Sequence, residues 1–264
     1  MDLNLGDRIA WVLGGSSGLG RASATSLARE GAKVAISSRD ADTLGESATG
    51  IEEATGGRCI PMALDVTDAS ALRDAHARII EELGEVDVLV ANAGGPPSGA
   101  FDSLDEDTMR SAFELTTASA WRLAQLVVPA MKERGRGVIM FITSTSTKEV
   151  VDGLLLSNMM RAAVLGMAKT MSKELGPHGI RVLCVAPGRI ATARLKSLDA
   201  GRSERTGQSP EQVAASWHEQ IPLGRYGDPQ ELGDVVAFAA SERASYLTGT
   251  TLMVDGGLTN STHA

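Results

Sequence analysis

Apolar and polar positions follow two alternating rhythms along this chain. Short, almost wholly apolar runs are separated by longer stretches in which apolar residues return every three or four positions. The first run, 9–13, reads Ile-Ala-Trp-Val-Leu and predicts a strand over 8–13. Residues 18–30 follow with Leu19, Ala22, Ala24, Leu27 and Ala28 at helical spacing. The same pair then repeats. Strand 33–38 leads to helix 40–55, ended by Gly56 and Gly57. Strand 58–64 leads to a helix opened by residues 65–68 and stopped by Gly84. Strand 86–91 leads to a long helical pattern at about 106–134, bracketed by Gly135 and Gly137. Strand 138–142 leads to helix 157–175, broken by Pro177, His178 and Gly179. Strand 180–185, a long polar insertion at about 192–220, helix 229–240 and strand 251–254 close the chain. Runs such as 86–91 are apolar on both faces, as buried parallel strands must be. Repeated strand–helix alternation with right-handed crossovers predicts an α/β fold, a doubly wound parallel sheet with helices on both faces. No linker divides the pattern, so residues 1–264 read as a single domain. Ligands in such sheets sit beyond the carboxyl ends of the strands. Gly14, Arg39, Asp65, Asn92, Ser144 and Pro187 all follow strands.

Composition narrows the partners. A chain of 264 residues, 43% hydrophobic, can bury a full core. Its net charge of −8 argues against nucleic acid or an anionic membrane and leaves a small-molecule substrate. The two cysteines, Cys59 and Cys184, fall in predicted strands and form neither a metal spacing nor a disulfide framework. No metal site is expected, and a reducing cytoplasm is. The chain starts Met-Asp-Leu-Asn-Leu-Gly-Asp, without the basic and apolar regions of a leader, and no apolar run is long enough to span a membrane.

The loop after the first strand carries the clearest chemistry. Gly14, Ser16, Ser17, Gly18, Leu19 and Gly20 join a strand to a helix. Glycines let the backbone approach a ligand, and a helix N-terminus offers N–H groups and partial positive charge to a pyrophosphate. After the second strand come Ser38 and Arg39, where an acidic residue would favour a free ribose 2′-hydroxyl. A hydroxyl followed by a guanidinium suits a 2′-phosphate, so NADP (NADPH) is expected over NAD. A solvated surface arginine is the alternative for Arg39. Asp65, followed by Val66, has two readings as well: an acceptor for an adenine amino group, or a cap for the next helix, for which Asp68 is better placed. Asn92, Ala93 and Gly94 form a small-residue turn of the kind that passes beneath a flat ring.

With these residues in view, the chain resembles the short-chain dehydrogenase/reductase family over essentially its whole length. The matches are Gly14-x-x-x-Gly18-x-Gly20, Asp65-Val66, Asn92-Ala93-Gly94, Pro187-Gly188-x-Ile190-x-Thr192, and Val254-Asp255-Gly256-Gly257. Each is weak alone; their order and spacing together are specific. The resemblance implies a seven-stranded Rossmann-like sheet, a nicotinamide cofactor and a homo-oligomer, a tetramer or dimer. One interface would use the helices around 106–134 and 157–175. Leu13 stands where a threonine is usual.

The resemblance also implies a catalytic set of Asn, Ser, Tyr and Lys. Carried over by position, the Ser falls on Ser144, the Tyr on Ser157, the Lys on Arg161 and the Asn on Thr116. Tyr226 and Tyr246, the chain's two tyrosines, sit too far along to replace the missing one. A serine hydroxyl is a far weaker acid than a phenol, and an arginine stays protonated, so neither substitution is conservative. Arg161 keeps a charge one helical turn from Ser157 and is expected to hold the nicotinamide ribose. Three accounts stand. The first is a reductase acting on a carbonyl or alcohol, 3-oxoacyl-reductase-like. Its proton would come from water held by Ser144 and Ser157, or from Lys148, Glu149 or Asp152. In the second, Ser144 and Arg161 serve other chemistry as an oxyanion or carboxylate site. The third is a nucleotide-binding regulator or partner protein without turnover. The insertion at 192–220, with Arg194, Lys196, Arg202, Arg205 and a helical pattern over 210–220, reads as a lid whose basic residues meet a carboxylate or phosphate on the substrate, or as a solvated loop.

Overall fold

The computed structural model describes residues 2–6 and 8–262. Met1, Asp7, His263 and Ala264 of the expected domain lie outside the described residues. Seven strands form one parallel sheet: β1 (Ile9–Leu13), β2 (Lys33–Ser38), β3 (Cys59–Ala63), β4 (Val88–Ala91), β5 (Gly137–Ile142), β6 (Ile180–Pro187) and β7 (Thr251–Val254). Their order across the sheet is β3-β2-β1-β4-β5-β6-β7. The chain starts in the middle, winds outward to β3, then returns past β1 and winds the other way. That reversal, between β1 and β4, is where a doubly wound sheet opens a crevice.

Side chains alternate across each strand and so feed two cores. Ala10 and Val12 of β1 face α1 (Gly18–Arg29), α2 (Ala41–Thr55) and α9 (Pro229–Ala240). Trp11 and Leu13 face α3 (Ala69–Glu82), α5 (Ser119–Arg134) and α6 (Leu155–Leu175). Trp11 is completely buried, and its indole N–H finds Ser37 Oγ at 2.9 Å, the partner a buried indole needs. Pro61 sits in β3, an edge strand, where its missing N–H costs little. α1 and α9 pack closely because residue 233 is glycine: a Cβ there would lie 2.5 Å from the Ala22 carbonyl oxygen.

Five expectations change. The helix expected from 65–68 onward begins at Ala69, because Asp68 caps it by accepting from the Ser70 and Ala71 N–H groups. The strand expected over 86–91 begins at Val88, and the one over 180–185 runs on to Pro187, paired with Val254. The helical pattern at 106–134 is continuous but not uniform: α4 (Glu106–Phe113) passes into α5 through a π turn, Glu114–Ala118. The insertion at 192–220 holds two helices, α7 (Ala193–Thr206) and α8 (Pro210–Gln220). Only α8 had a visible pattern. α7 buries just Leu195 and Asp199, one turn apart, and is set instead by its Thr192 cap and a left-handed Gly207.

Candidate functional site

The loops at the carboxyl ends of the strands converge through close contacts that only small residues allow. Gly14 has a left-handed φ of 67°, and a Cβ there would meet Asn92 Nδ2 at 2.5 Å. Asn92 donates through Nδ2 to the Leu13 carbonyl oxygen at 3.2 Å, tying the loop after β4 to the end of β1. A Cβ on Gly20 would lie 2.1 Å from the Gly14 carbonyl oxygen, so the glycine loop folds down onto α1. A Cβ on Gly18 would touch Thr192 Cγ2 at 3.3 Å, and one on Gly188 would strike Asp255 at 2.6 Å. The loops after β1, β4, β6 and β7 therefore share one crevice. Ile190 is buried there and bridges to Gly227.

α1 opens on that crevice without a side-chain cap and with no acid in its first turn. Ser17 stands at the cap position, yet its hydroxyl makes no cap bond. α2, α3, α4, α7, α8 and α9 all have side-chain caps. The N–H groups and dipole of α1 are thus available to an anion. With Ser16 and Leu19 on the same turn, the residues fit a dinucleotide's diphosphate.

Farther along the crevice Ser38 ends β2, Arg39 follows it, and Asp65 and Val66 follow β3. Arg39 is exposed, and its charge acts on Asp65. Asp65 accepts from the Thr67 N–H at 2.9 Å and the Thr67 hydroxyl at 2.8 Å, both through Oδ1. Those bonds, with Arg39 nearby, hold its carboxyl below the usual range. Asp65 thus shapes its own turn, while Asp68 caps α3.

A second group meets at the end of β5. Val66, Asn92, Ala93, Thr116 and Arg161 line one cavity of about 20 Å³, room for about one water molecule. The π turn aims Thr116 into this space, where its hydroxyl is buried and makes no hydrogen bond among the described residues. Arg161 reaches across from α6. Its Nη1 donates to the carbonyl oxygens of Ile142 and Thr143, each at 2.8 Å, and its Nε donates to Ser157 Oγ at 3.3 Å. Burial, and then the charge of Arg194, push the Arg161 guanidinium down to about 10, which leaves it a cation at neutral pH. Ser144 is the second residue after β5, and its Oγ accepts from the Ser146 N–H at 3.1 Å. Lys148, Glu149 and Asp152 lie beyond it, and the charge of Lys148 reaches the buried Cys184 thiol.

Comparison with known proteins completes this picture. A family profile described as enoyl-(acyl carrier protein) reductase matches residues 14–259. The 3-oxoacyl-(acyl-carrier-protein) reductase FabG of Thermotoga maritima is 32% identical over 259 residues, 97% of this chain and 99% of that protein. The chain belongs to the short-chain dehydrogenase/reductase family. It is an oxidoreductase of the short-chain type, and its Rossmann-like α/β sheet is that of the family's solved structures. Cyclohexanol dehydrogenase of Rhodococcus is 31% identical, covering 98% of this chain and 99% of that one. L-Sorbose reductase from Gluconobacter frateurii, solved with NADPH and L-sorbose, superposes with a TM-score of 0.93 at 30% identity, covering 99% and 100% of the two chains. A 7α-hydroxysteroid dehydrogenase solved with NADH gives 0.89 at 32% identity, over 97% and 96%.

Two contacts of this short-chain oxidoreductase were not visible in the sequence, although Arg194 itself was a candidate there. Arg194, at the start of α7, donates through Nη2 to the Pro96 carbonyl oxygen at 2.8 Å and lies against Gly95. Behind it, Asp199 accepts from Arg189 at 2.6 Å and from the Tyr226 hydroxyl at 2.8 Å. Arg189 also stacks on Trp217, 3.4 Å from the ring centre. This knot fastens α7 and α8 to the loop after β6. Nothing in sequence spacing pairs positions 199 and 226. No helix is long and apolar enough to cross a membrane, and no metal-holding group of side chains occurs, among the described residues.

Proposed function

We propose that this chain reduces a carbonyl to an alcohol, or runs the reverse reaction, with NADPH preferred over NADH. When bound, the nicotinamide cofactor supplies or accepts the hydride. The observation that carries the reading is the shared crevice, in which an uncapped α1, the Gly14–Gly20 packing, Asn92 and Thr192 meet. Gly14, Ser16, Ser17, Gly18, Leu19 and Gly20 hold the diphosphate; Asp65, Val66, Asn92, Ala93 and Gly94 line the adenine and ring sides. Pro187, Gly188, Ile190 and Thr192 close the nicotinamide end. Ser38 and Arg39 meet the 2′-phosphate, since a guanidinium forks onto phosphate. The relatives supply both precedents, one solved with NADPH and one with NADH. The chain acts as one domain, with the insertion at about 192–220 as the lid over the substrate.

Ser157 and Arg161 stand where the family has its Tyr and Lys, and Thr116 where it has its Asn. Ser144 and Ser157 orient the substrate oxygen and a solvent molecule that carries the proton. Arg161, already donating to Ser157 Oγ, stabilises negative charge that develops there. The substrate is a small molecule of the 3-oxoacyl-reductase-like class. We assign the protein to the cytoplasm as a homo-oligomer, a tetramer or dimer; its two cysteines are free and buried.

One observation favours a second reading, a nucleotide-binding protein without turnover: Arg161 commits Nη1 to backbone carbonyls. Fluorescence titration with NADPH and with NADH separates the outcomes. Saturable binding that favours NADPH, followed by NADPH consumption with a ketone panel, is expected. Binding without consumption supports the second reading, and no binding of either nucleotide removes both. Arg39→Ala is expected to narrow the NADPH preference, and an unchanged ratio of dissociation constants refutes that assignment.

A further inference from the structure

The chain places an arginine where three of its strands begin. Arg8 precedes β1, Arg136 precedes β5, and Arg181 is the second residue of β6. The strands are parallel, so all three arginines lie at the end of the sheet opposite the nucleotide crevice. The turns before β5 and β6 touch there: a Cβ on Gly179 would lie 2.1 Å from the Gly135 carbonyl oxygen. Arg8, Arg136 and Arg181 line one shared cavity of about 300 Å³, with Val88, Val138 and Ile180 in its apolar wall. Small-molecule pockets run from roughly 300 to 1,000 Å³, so this space admits a small organic ligand.

Carboxylates are too few for the cations at this end. The buried Asp87, just before β4, is the hub. Its Oδ1 lies 3.2 Å from Arg136 Nε, 3.6 Å from Arg134 Nη2 and 3.9 Å from Arg8 Nη1. Its Oδ2 accepts from the Ile9 N–H at 3.1 Å. Glu242 is a second partner for Arg8, and Glu85 for Arg134. Arg181 forms no ion pair among the described residues; it donates to the Ala239, Ala240 and Ser241 carbonyl oxygens at the end of α9. Four guanidinium groups thus meet three carboxylates. Arg136 is the open one. It is half-exposed, its Nε is engaged with Asp87, and its Nη1 and Nη2 make no hydrogen bond among the described residues. Such a planar fork matches the two oxygens of one carboxylate.

We infer that this cavity is a second binding site, for a small monocarboxylate with an apolar body. The Arg136 fork takes the carboxylate, and the valine and isoleucine wall takes the body. One unmatched positive charge suits a monoanion, while Asp87 and Glu242, which line the same cavity, repel a dianion. The site lies away from the cofactor loops and stands independently of the redox reading. The acid is bound and released unchanged.

The test is calorimetric titration in chloride buffer at fixed ionic strength. The probes are hexanoate, benzoate and phenylacetate, each beside its amide. At least one acid is expected to bind at a single site about tenfold or more tightly than its amide, the scale of one charge-assisted contact. Excess NADPH is expected to leave that affinity unchanged. R136Q is expected to lower it about tenfold, and R136K by less, since lysine retains the charge but loses the fork. Acids and amides bound alike, or no acid bound, overturn the proposal. So does displacement of the acid by NADPH, which assigns it to the crevice, and so does a folded R136Q protein that binds the acid as the parent does.

Discussion

Arg161 is both a fastener and a charge. Its bonds to Ile142 and Thr143 hold the end of β5, and its remaining bond reaches Ser157. Arg161→Ala is therefore expected to weaken NADPH binding more than Ser157→Ala does; equal dissociation constants would count against a ribose role. The same change strands two carbonyl groups, which costs about 1–3 kcal/mol in a urea unfolding curve. Tyr226 gives a pH signature. Burial, then its bond to Asp199, raises its hydroxyl to about 12 from 10.0. The folded state thus holds this proton more tightly than the unfolded chain. The stability it contributes is complete below about pH 10 and is lost as pH rises toward about 12. Tyr226→Phe should flatten that alkaline fall in urea midpoints, and an unchanged slope would show that another group causes it. Position 161 was legible as an outlier because the motif around it is ordered. The Asp199–Tyr226 bond was not, because it joins two polar stretches with no periodicity to relate them.

Elements were readable in proportion to the apolar surface they bury. β4 and β5 announce themselves by unbroken apolar runs, and α1 and α9 by helical spacing. α7 did not, because two buried positions in fourteen residues leave no period to find. It is a helix by its ends, capped by Thr192 and stopped at Gly207, and by the knot that Asp199 makes with Arg189 and Tyr226. The α1–α9 contact gives the sharpest prediction at this scale. Gly233→Ala places a methyl group against the Ala22 carbonyl and should cost about 1–3 kcal/mol, read as a lower Tm. A variant as stable as the parent would mean that the helices separate freely. In the same way, the Gly20–Gly14 packing was foreseeable as a tight loop, but not its particular contact.

For the whole molecule, alternation along the chain was enough to anticipate a parallel, doubly wound sheet with its ligand crevice at the strands' carboxyl ends. The order β3-β2-β1-β4-β5-β6-β7 places β1 and β4 side by side, and with them Gly14 and Asn92. What the pattern could not carry is which exposed apolar residues matter together. Phe113, Trp121 and Met159 are 45%, 54% and 47% exposed, on α4, α5 and α6. If these helices form the subunit contact of the proposed oligomer, Trp121→Asp should shift sedimentation to a smaller particle without unfolding the protein. An unchanged sedimentation coefficient would place the contact elsewhere.

The π turn at Glu114–Ala118 has a consequence for how this chain tolerates length changes. A π turn is an α-helix with one residue too many. Loss of a single residue between 114 and 118 would relax it to an ordinary helix and leave α5 in register. The same deletion inside α5 would turn Leu123, Val127 and Met131 about 100° away from the sheet. Among descendants of this sequence, single-codon deletions in the 106–134 helix should therefore survive in that one turn, and they would do so at the expense of where Thr116 points.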